Sequence, residues 1–362
     1  MQHEHTFDSG WKGAGVSARA FRRIRCRAMT DEPTSAPEGA PPVRVYLDQM
    51  HWIGLMRARA GDPEGAPYGD LLRRINLLRA AGRIELPLSA GHVFETWKAR
   101  SAKRRHPLAL TMAELSGHAS IAPPWILVPA EVAQQLSLRF PQVAVPHVEV
   151  FGRGMGHRMG AHDTDYELHG ELERVGLGRA TAFDAAETIL LGGPGEDLPF
   201  GPIGQPPLDL ADDFATREQQ FTNNLHASGV SATQRHDAVM FTAVRDLIWP
   251  INEVVARTDG LSWEDVLSLG KEGLTDLVQS IPSWAAVLAL RLRAHRSRDT
   301  KWHANDLNDL AYTSVAIAHC DIVGGERRWA ANLNAAGVAG RFGHTIVHRP
   351  AELDAALSAI TA

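Results

Sequence analysis

At residues 43–61 the sequence VRVYLDQMHWIGLMRARAG switches its hydrophobic period, and Asp48 marks the changeover. Val43, Val45 and Leu47 alternate with Arg44 and Tyr46, the period-two pattern of a short strand, and the stretch that follows is amphipathic and helical. Residues 68–82, YGDLLRRINLLRAAG, predict a second helix, with Leu71, Leu72, Ile75 and Leu78 at helical spacing and Gly82 as its stop. RIELPLS (83–89) predicts a second strand, and AGHVFETWKARSAKRRH (90–106) a helix that turns basic toward its end. Two strands separated by helical crossovers run parallel, so this succession opens an α/β domain.

The same signal returns near the other end of the chain. NDLNDLAYTSVAIAHC (305–320) reads as a helix, DIVGG (321–325) as a strand, ERRWAANLNAAG (326–337) as a helix and HTIVHR (344–349) as a last strand. In between, amphipathic segments such as PAEVAQQLSLRF and WEDVLSLGKEGLTDLVQSI are interrupted by the Gly/Pro-rich LGGPGEDLPFGPIGQPPLDLADD. The expected organisation is a disordered, basic segment over 1–42, a first part of the α/β core over 43–106, a mostly helical insertion over 107–290, and the second part of the core over 291–362. Within the first segment, MTDEPTSAPEGAPP is polar and Pro-rich, so Met29 is the expected true start.

The 362 residues, 44% of them hydrophobic, can bury a sizeable core. With only Cys26 and Cys320, the chain has neither a disulfide framework nor a cysteine-built zinc site, and a cytoplasmic location is expected. No apolar run approaches the roughly 18 residues of a membrane span. The net charge of −5 gives no global attraction to nucleic acid, so any binding to phosphates must come from local clusters of Lys and Arg.

In an open parallel sheet the working crevice lies at the C-terminal ends of the strands. Asp48 follows the first strand, Glu95 lies on the helix after the second, Asp306 and Asp309 share a helix face at i, i+3, and Asp321 and Glu326 bracket the strand IVGG. Clustered carboxylates repel unless a cation neutralises them, and oxygen ligands select Mg2+ or Mn2+. Such a centre suits phosphodiester hydrolysis by an ion-activated water. Two basic clusters flank these acids: Lys98, Arg100, Lys103, Arg104 and Arg105 after Glu95, and Arg296 and Arg298 before Asp306. They are candidate RNA contacts, with Trp97 and Trp302 available to stack on bases.

These stretches resemble the PIN-domain ribonucleases. VYLDQMHWIGL is similar to the family's opening strand and helix, LPLSAGHVFETW to its second acidic motif, and NDLNDLAYTSVAIAHCDIVGGERRW to its third and fourth. The resemblance covers 43–106 and roughly 300–349. It implies a three-layer α/β/α domain with a central parallel sheet, and a Mg2+- or Mn2+-dependent ribonuclease, often a toxin or an RNA-turnover enzyme. It also makes an inhibitor protein of antitoxin type and a second copy of the chain the partners to expect beside the RNA substrate. On this reading Asp48 and Glu95 are the first two metal ligands, and Asp309, seven residues before Ala316, is favoured over Asp306 as the third. In the fourth motif Glu326 takes the usual aspartate position, Gly324 replaces the usual threonine, and Asp321 is an additional acid.

Blander readings compete. An Asp after a strand is ordinarily a helix cap, Asp306 shares a capping role with Asn305, and basic runs are commonly solvated helix faces. RDTKWH has the Arg-x4-His spacing of metal-free HEPN ribonucleases through Arg298 and His303. FGRGMGHRMG lacks the Lys-Ser/Thr ending of a phosphate loop. His157, His162, Asp163 and Asp165 contain metal-ligand types without a standard spacing. A PIN-like module that binds RNA or protein without cutting is the alternative from another class.

Overall fold

The structure, a computed structural model, describes residues 41–161, 167–193 and 208–360. The basic segment 1–28, Met29 and most of the Gly/Pro-rich loop lie outside the described residues.

A four-stranded parallel sheet organises the chain, in the order β2 (Ile84–Glu85), β1 (Val43–Leu47), β5 (Ile322–Gly324), β6 (Thr345–Val347). Val45 lies opposite Ile322, which in turn lies opposite Thr345. β2 is short because Pro87 has no N–H to donate, yet Leu88 resumes pairing, bridging to Ser120 in β3 (Ala119–Ile121). Antiparallel β4 (Phe151–Arg153) pairs with the far edge of β3. The principal helices around the sheet are α1 (Gln49–Arg59), α2 (Gly69–Ala80), α3 (Ala90–Lys98), α4 (Ala102–Ser116), α5 (Pro124–Ser137), α6 (Leu208–Ala227), α7 (Pro282–Ala294), α8 (305–319), α9 (Arg327–Ala335) and α10 (Pro350–Ser358).

Strand alternation sends neighbouring side chains into different cores. Val45, Leu47 and Ile322 join Leu55, Leu71, Ile75, Met112 and Leu353, from α1, α2, α4 and α10. Tyr46, Val323 and Ile346 join Leu290, Val315, Ile317, Trp329 and Leu333, from α7, α8 and α9. At about 25 cal/mol per Å² of apolar surface, these two clusters are the main force seating helices on the sheet.

The expected boundary at 107 does not match this packing. α4 buries Leu108, Met112 and Leu115 in the first core, and β3 extends the sheet, so 107–121 is part of the α/β unit. The helical insertion has its own core, including Val132, Leu136, Met240, Ile251, Val266 and Leu277. α7 serves both: Trp284 and Leu288 face the insertion, and Ala286, Leu290 and Ala294 face the sheet.

Candidate metal centre

Three elements meet where β1 ends. The Asp48 N–H donates to Gly324 O at 2.8 Å, so β1 stays paired with β5 one residue beyond the strand, and the Asp48 carboxylate accepts from the Gln49 N–H at 2.7 Å. α3 is tied to this point through His92. The Ser89 N–H donates to His92 Nδ1 at 2.9 Å, which leaves the ring proton on Nε2 to donate to Leu47 O at 2.7 Å. Burial pushes the His92 pKa down to about 4, so the ring is neutral. A second tie runs from Gln49 Nε2 to Thr96 Oγ1, 3.0 Å. Glu95, one turn beyond His92, is thereby held beside Asp48.

Asp309 comes from α8 at the start of a π-helical turn, Asp309–Thr313. Such turns carry one residue more than an α-turn and shift which side chains face the packed side. Trp329 Nε1 donates to Asp309 Oδ2 at 2.8 Å and fixes its rotamer. One carboxylate oxygen each from Asp48, Glu95 and Asp309 then lies within 4.8 Å of the others.

Burial is the largest cause of a rise at all three acids; the Asp48 charge adds to it at Glu95 and Asp309, and the Asp309 charge adds at Glu95. Asp48 is pushed up to about 6, Asp309 to about 7 and Glu95 to about 8. The Gln49 N–H, the Trp329 indole and Lys98 oppose the rise at Asp48, Asp309 and Glu95 respectively. An all-oxygen donor set fits a hard divalent cation, and around Mg2+ at about 2.1 Å ligand oxygens lie at most about 4.2 Å apart. A shift of a few tenths of an ångström would close the three carboxylates to that span.

The other candidate acids have different positions. Glu326 is exposed at the cap position of α9, outside the 4.8 Å group, and its charge raises the pKa of all three clustered acids. Asp306 is a clamp rather than a ligand: it accepts from Arg328 Nη1 at 3.1 Å and from the His303 N–H at 2.9 Å. Asp321 is not a ligand, because it precedes β5 and accepts from the Arg44 N–H at 2.7 Å, at the N-terminal ends of the strands, away from Asp48. In a parallel sheet only residues that follow strands share the crevice.

Of the basic candidates, Lys98, Arg100, Lys103, Arg104, Arg296 and Arg298 are exposed. Lys98 Nζ also donates to Asn305 Oδ1 at 2.8 Å, tying α3 to α8. Arg105 is fully buried and donates to the carbonyls of Ala99, Arg100 and Gly192, so it holds the α3–α4 turn and is not an RNA contact. Trp302 is buried and closed to bases, and Trp97 is half-buried against the first core. Trp97 Nε1 donates to Leu191 O, and buried Trp302 donates to Thr222 Oγ1. Arg298 and His303 are exposed in the irregular link between α7 and α8. His157 is engaged by Ser120 Oγ and Glu149 O, and His162, Asp163 and Asp165 lie outside the described residues.

Compared with protein-family models, curated proteins and solved structures, the chain matches none. Its site therefore has to be read from its own geometry. Residues that sequence reasoning passed over do much of the positioning: Gln49, Ser89, His92, Thr96, Arg328 and Trp329. The Ser89/His92 spacing, a cap residue and its third successor, was a visible signal. Gly324, where the resemblance leads one to expect threonine, has a physical partner. A Cβ there would meet His51 Cδ2 at 3.1 Å, so the His51 ring, buried and hydrogen-bonded through Nδ1 to the Tyr68 hydroxyl at 3.2 Å, occupies that space.

Proposed function

We propose that this chain is a divalent-metal-dependent ribonuclease built on a three-layer α/β/α domain of PIN type, with a helical insertion. One observation carries the reading: acids from three distant stretches, Asp48, Glu95 and Asp309, converge to within 4.8 Å beyond the C-terminal ends of parallel strands. Burial, with repulsion from neighbouring acids added to it, holds each carboxyl above its ordinary range, a cost that a cation would offset. Asp48, Glu95 and Asp309 would hold Mg2+ or Mn2+, and the exposed Glu326, whose charge raises all three, would reach it only through water. The ion supplies a lowered pKa for a bound water and charge neutralisation at the phosphoryl oxygens. The chain's own contribution is orientation: Trp329 engages one Asp309 oxygen, the Gln49 N–H engages Asp48, and the His92 tie sets the depth of α3. Lys98 stands beside Glu95 as a cation for the substrate backbone.

RNA cleavage measured with Mn2+, with EDTA, and with Asp48→Asn tests this proposal. Cleavage should require the metal and disappear in the variant. Equal cutting by wild type and variant would sink it.

One feature favours a second reading. A His51 ring with an unpartnered Nε2 stands where a threonine hydroxyl is expected, and Glu326 is exposed, so this corner of the centre departs from the polar set that the resemblance implies. A PIN-like module that binds RNA without cutting it would show affinity in the same samples and no product.

A further inference from the structure

Beside the carboxylates, α7, the link after it, and α9 enclose a cleft of about 510 Å³, lined by Arg293, Arg296, Ser297, Thr300, Arg328 and Asn332. No carboxylate is among its lining residues. Arg293 and Arg296 are exposed and form no ion pair among the described residues, so both charges are available to a ligand. Arg328 gives Nη1 to Asp306 and packs over the Trp329 ring, and its Nη2 is buried, so it brings positive charge to the cleft wall rather than a free Nη2 donor. The two exposed guanidiniums, the Ser297 hydroxyl and the Asn332 amide make a donor-rich set suited to phosphate oxygens, while the Thr300 hydroxyl already donates to Ala294 O.

The cleft is mechanically continuous with the metal centre. Arg328 and Trp329 are adjacent on the first turn of α9, and they grip Asp306 and Asp309 respectively. Those acids are separated by one helical turn, about 5–6 Å between Cβ atoms. A strand whose scissile phosphate sat at the carboxylates would carry a neighbouring phosphate past Arg328.

We infer that Arg293, Arg296 and Arg328 form a phosphate-binding subsite for the RNA backbone, next to the scissile position and separate from the carboxylate cluster. The inference rests on the nuclease reading for its ligand, and it assigns to α7 and α9 the register of the strand. Arg293 and Arg296 would neutralise phosphate charge, and Arg328 would couple an occupied cleft to the Asp306 clamp.

The test is binding of fluorescein-labelled oligo(U) in EDTA, where nothing is cut, across a salt series. Neutralising one phosphate contributes about −0.7 to the slope of log K against log salt for a single strand. The Arg293→Ala/Arg296→Ala variant should lose about 1.4 from that slope and about ten-fold in affinity at physiological ionic strength. The Arg293→Lys/Arg296→Lys variant should keep the slope, and Arg257→Ala, on the insertion surface, should leave both quantities unchanged. Both cleft residues are exposed, so the variants should melt with the wild type, whereas Arg328→Ala would also break the Asp306 clamp. Unchanged affinity and slope in the alanine variant would overturn the subsite. So would weaker binding at constant slope, because then no phosphate charge was being neutralised. Metal binding is read separately as the Mn2+-induced shift in Tm without RNA. If that shift is absent while the cleft variant still loses slope, the metal centre fails and the subsite stands.

Discussion

Glu95→Gln should make the metal-free protein more stable. No hydrogen bond engages the Glu95 carboxyl among the described residues, so the amide keeps the shape and removes the charge, and with it the burial penalty and the repulsion from Asp48 and Asp309, which outweigh the lost attraction to Lys98. In the folded chain this carboxyl titrates near 8 instead of 4.5. A raised folded value means the carboxyl contributes no penalty below about pH 4.5, and destabilises progressively as pH climbs toward 8. At about 1.4 kcal/mol per tenfold in proton affinity, the cost at pH 7 is about 3 kcal/mol, and partial solvent exposure reduces it to about 1–2 kcal/mol. At roughly 2 °C per kcal/mol, Glu95→Gln should raise Tm by about 2–4 °C at pH 7 in EDTA. At pH 5 the gain should fall below about 1 kcal/mol. Mn2+ should reverse the order, raising the wild type more than the variant, since a ligand that binds only the folded state stabilises by mass action. Thermal melts at pH 5, 7 and 8, with EDTA and with Mn2+, measure all of this. A variant that is less stable at every pH, or a gain that does not grow with pH, would refute the idea that these carboxylates strain the metal-free fold.

Trp329→Phe keeps the buried ring and removes the N–H on Asp309 Oδ2, so stability should drop by about 1 kcal/mol. That hydrogen bond lowers the Asp309 pKa, so its loss should move the pH midpoint of Mn2+ binding upward, as read by titration calorimetry. Gly91→Ala should cost about 1–3 kcal/mol, because a Cβ there would lie 2.6 Å from the Tyr312 ring; a denaturant melt would show it. Gly324→Thr should destabilise alone and be partly rescued by His51→Ala, a coupling of about 0.5–3 kcal/mol in a double-mutant cycle. Additive effects would mean that His51 does not fill the threonine position.

The strands at 43–47, 322–324 and 345–347 were legible because buried β-branched and aliphatic residues stood between clear helical periods. β3 and β4 were not, since three-residue strands such as Ala119–Ile121 carry no measurable period. Asp321 was excludable from the sequence by direction alone, because it precedes its strand. The preference for Asp309 over Asp306 came from the resemblance alone, because its physical ground is a π turn and which of Arg328 and Trp329 meets each acid. Arg105 shows the same limit: in the run KRRH it looks like its neighbours, and only the α3–α4 turn folds it under the carbonyls it binds.

By itself, then, the sequence determined the alternation of strands and helices and the acids that follow them, because both are written in local period and polarity. Tertiary structure alone decided which oxygens meet within 4.8 Å, which arginines are buried and which line a cleft. Those outcomes depend on contacts between residues hundreds of positions apart, such as Asp48 with Gly324, and no local pattern encodes such distances.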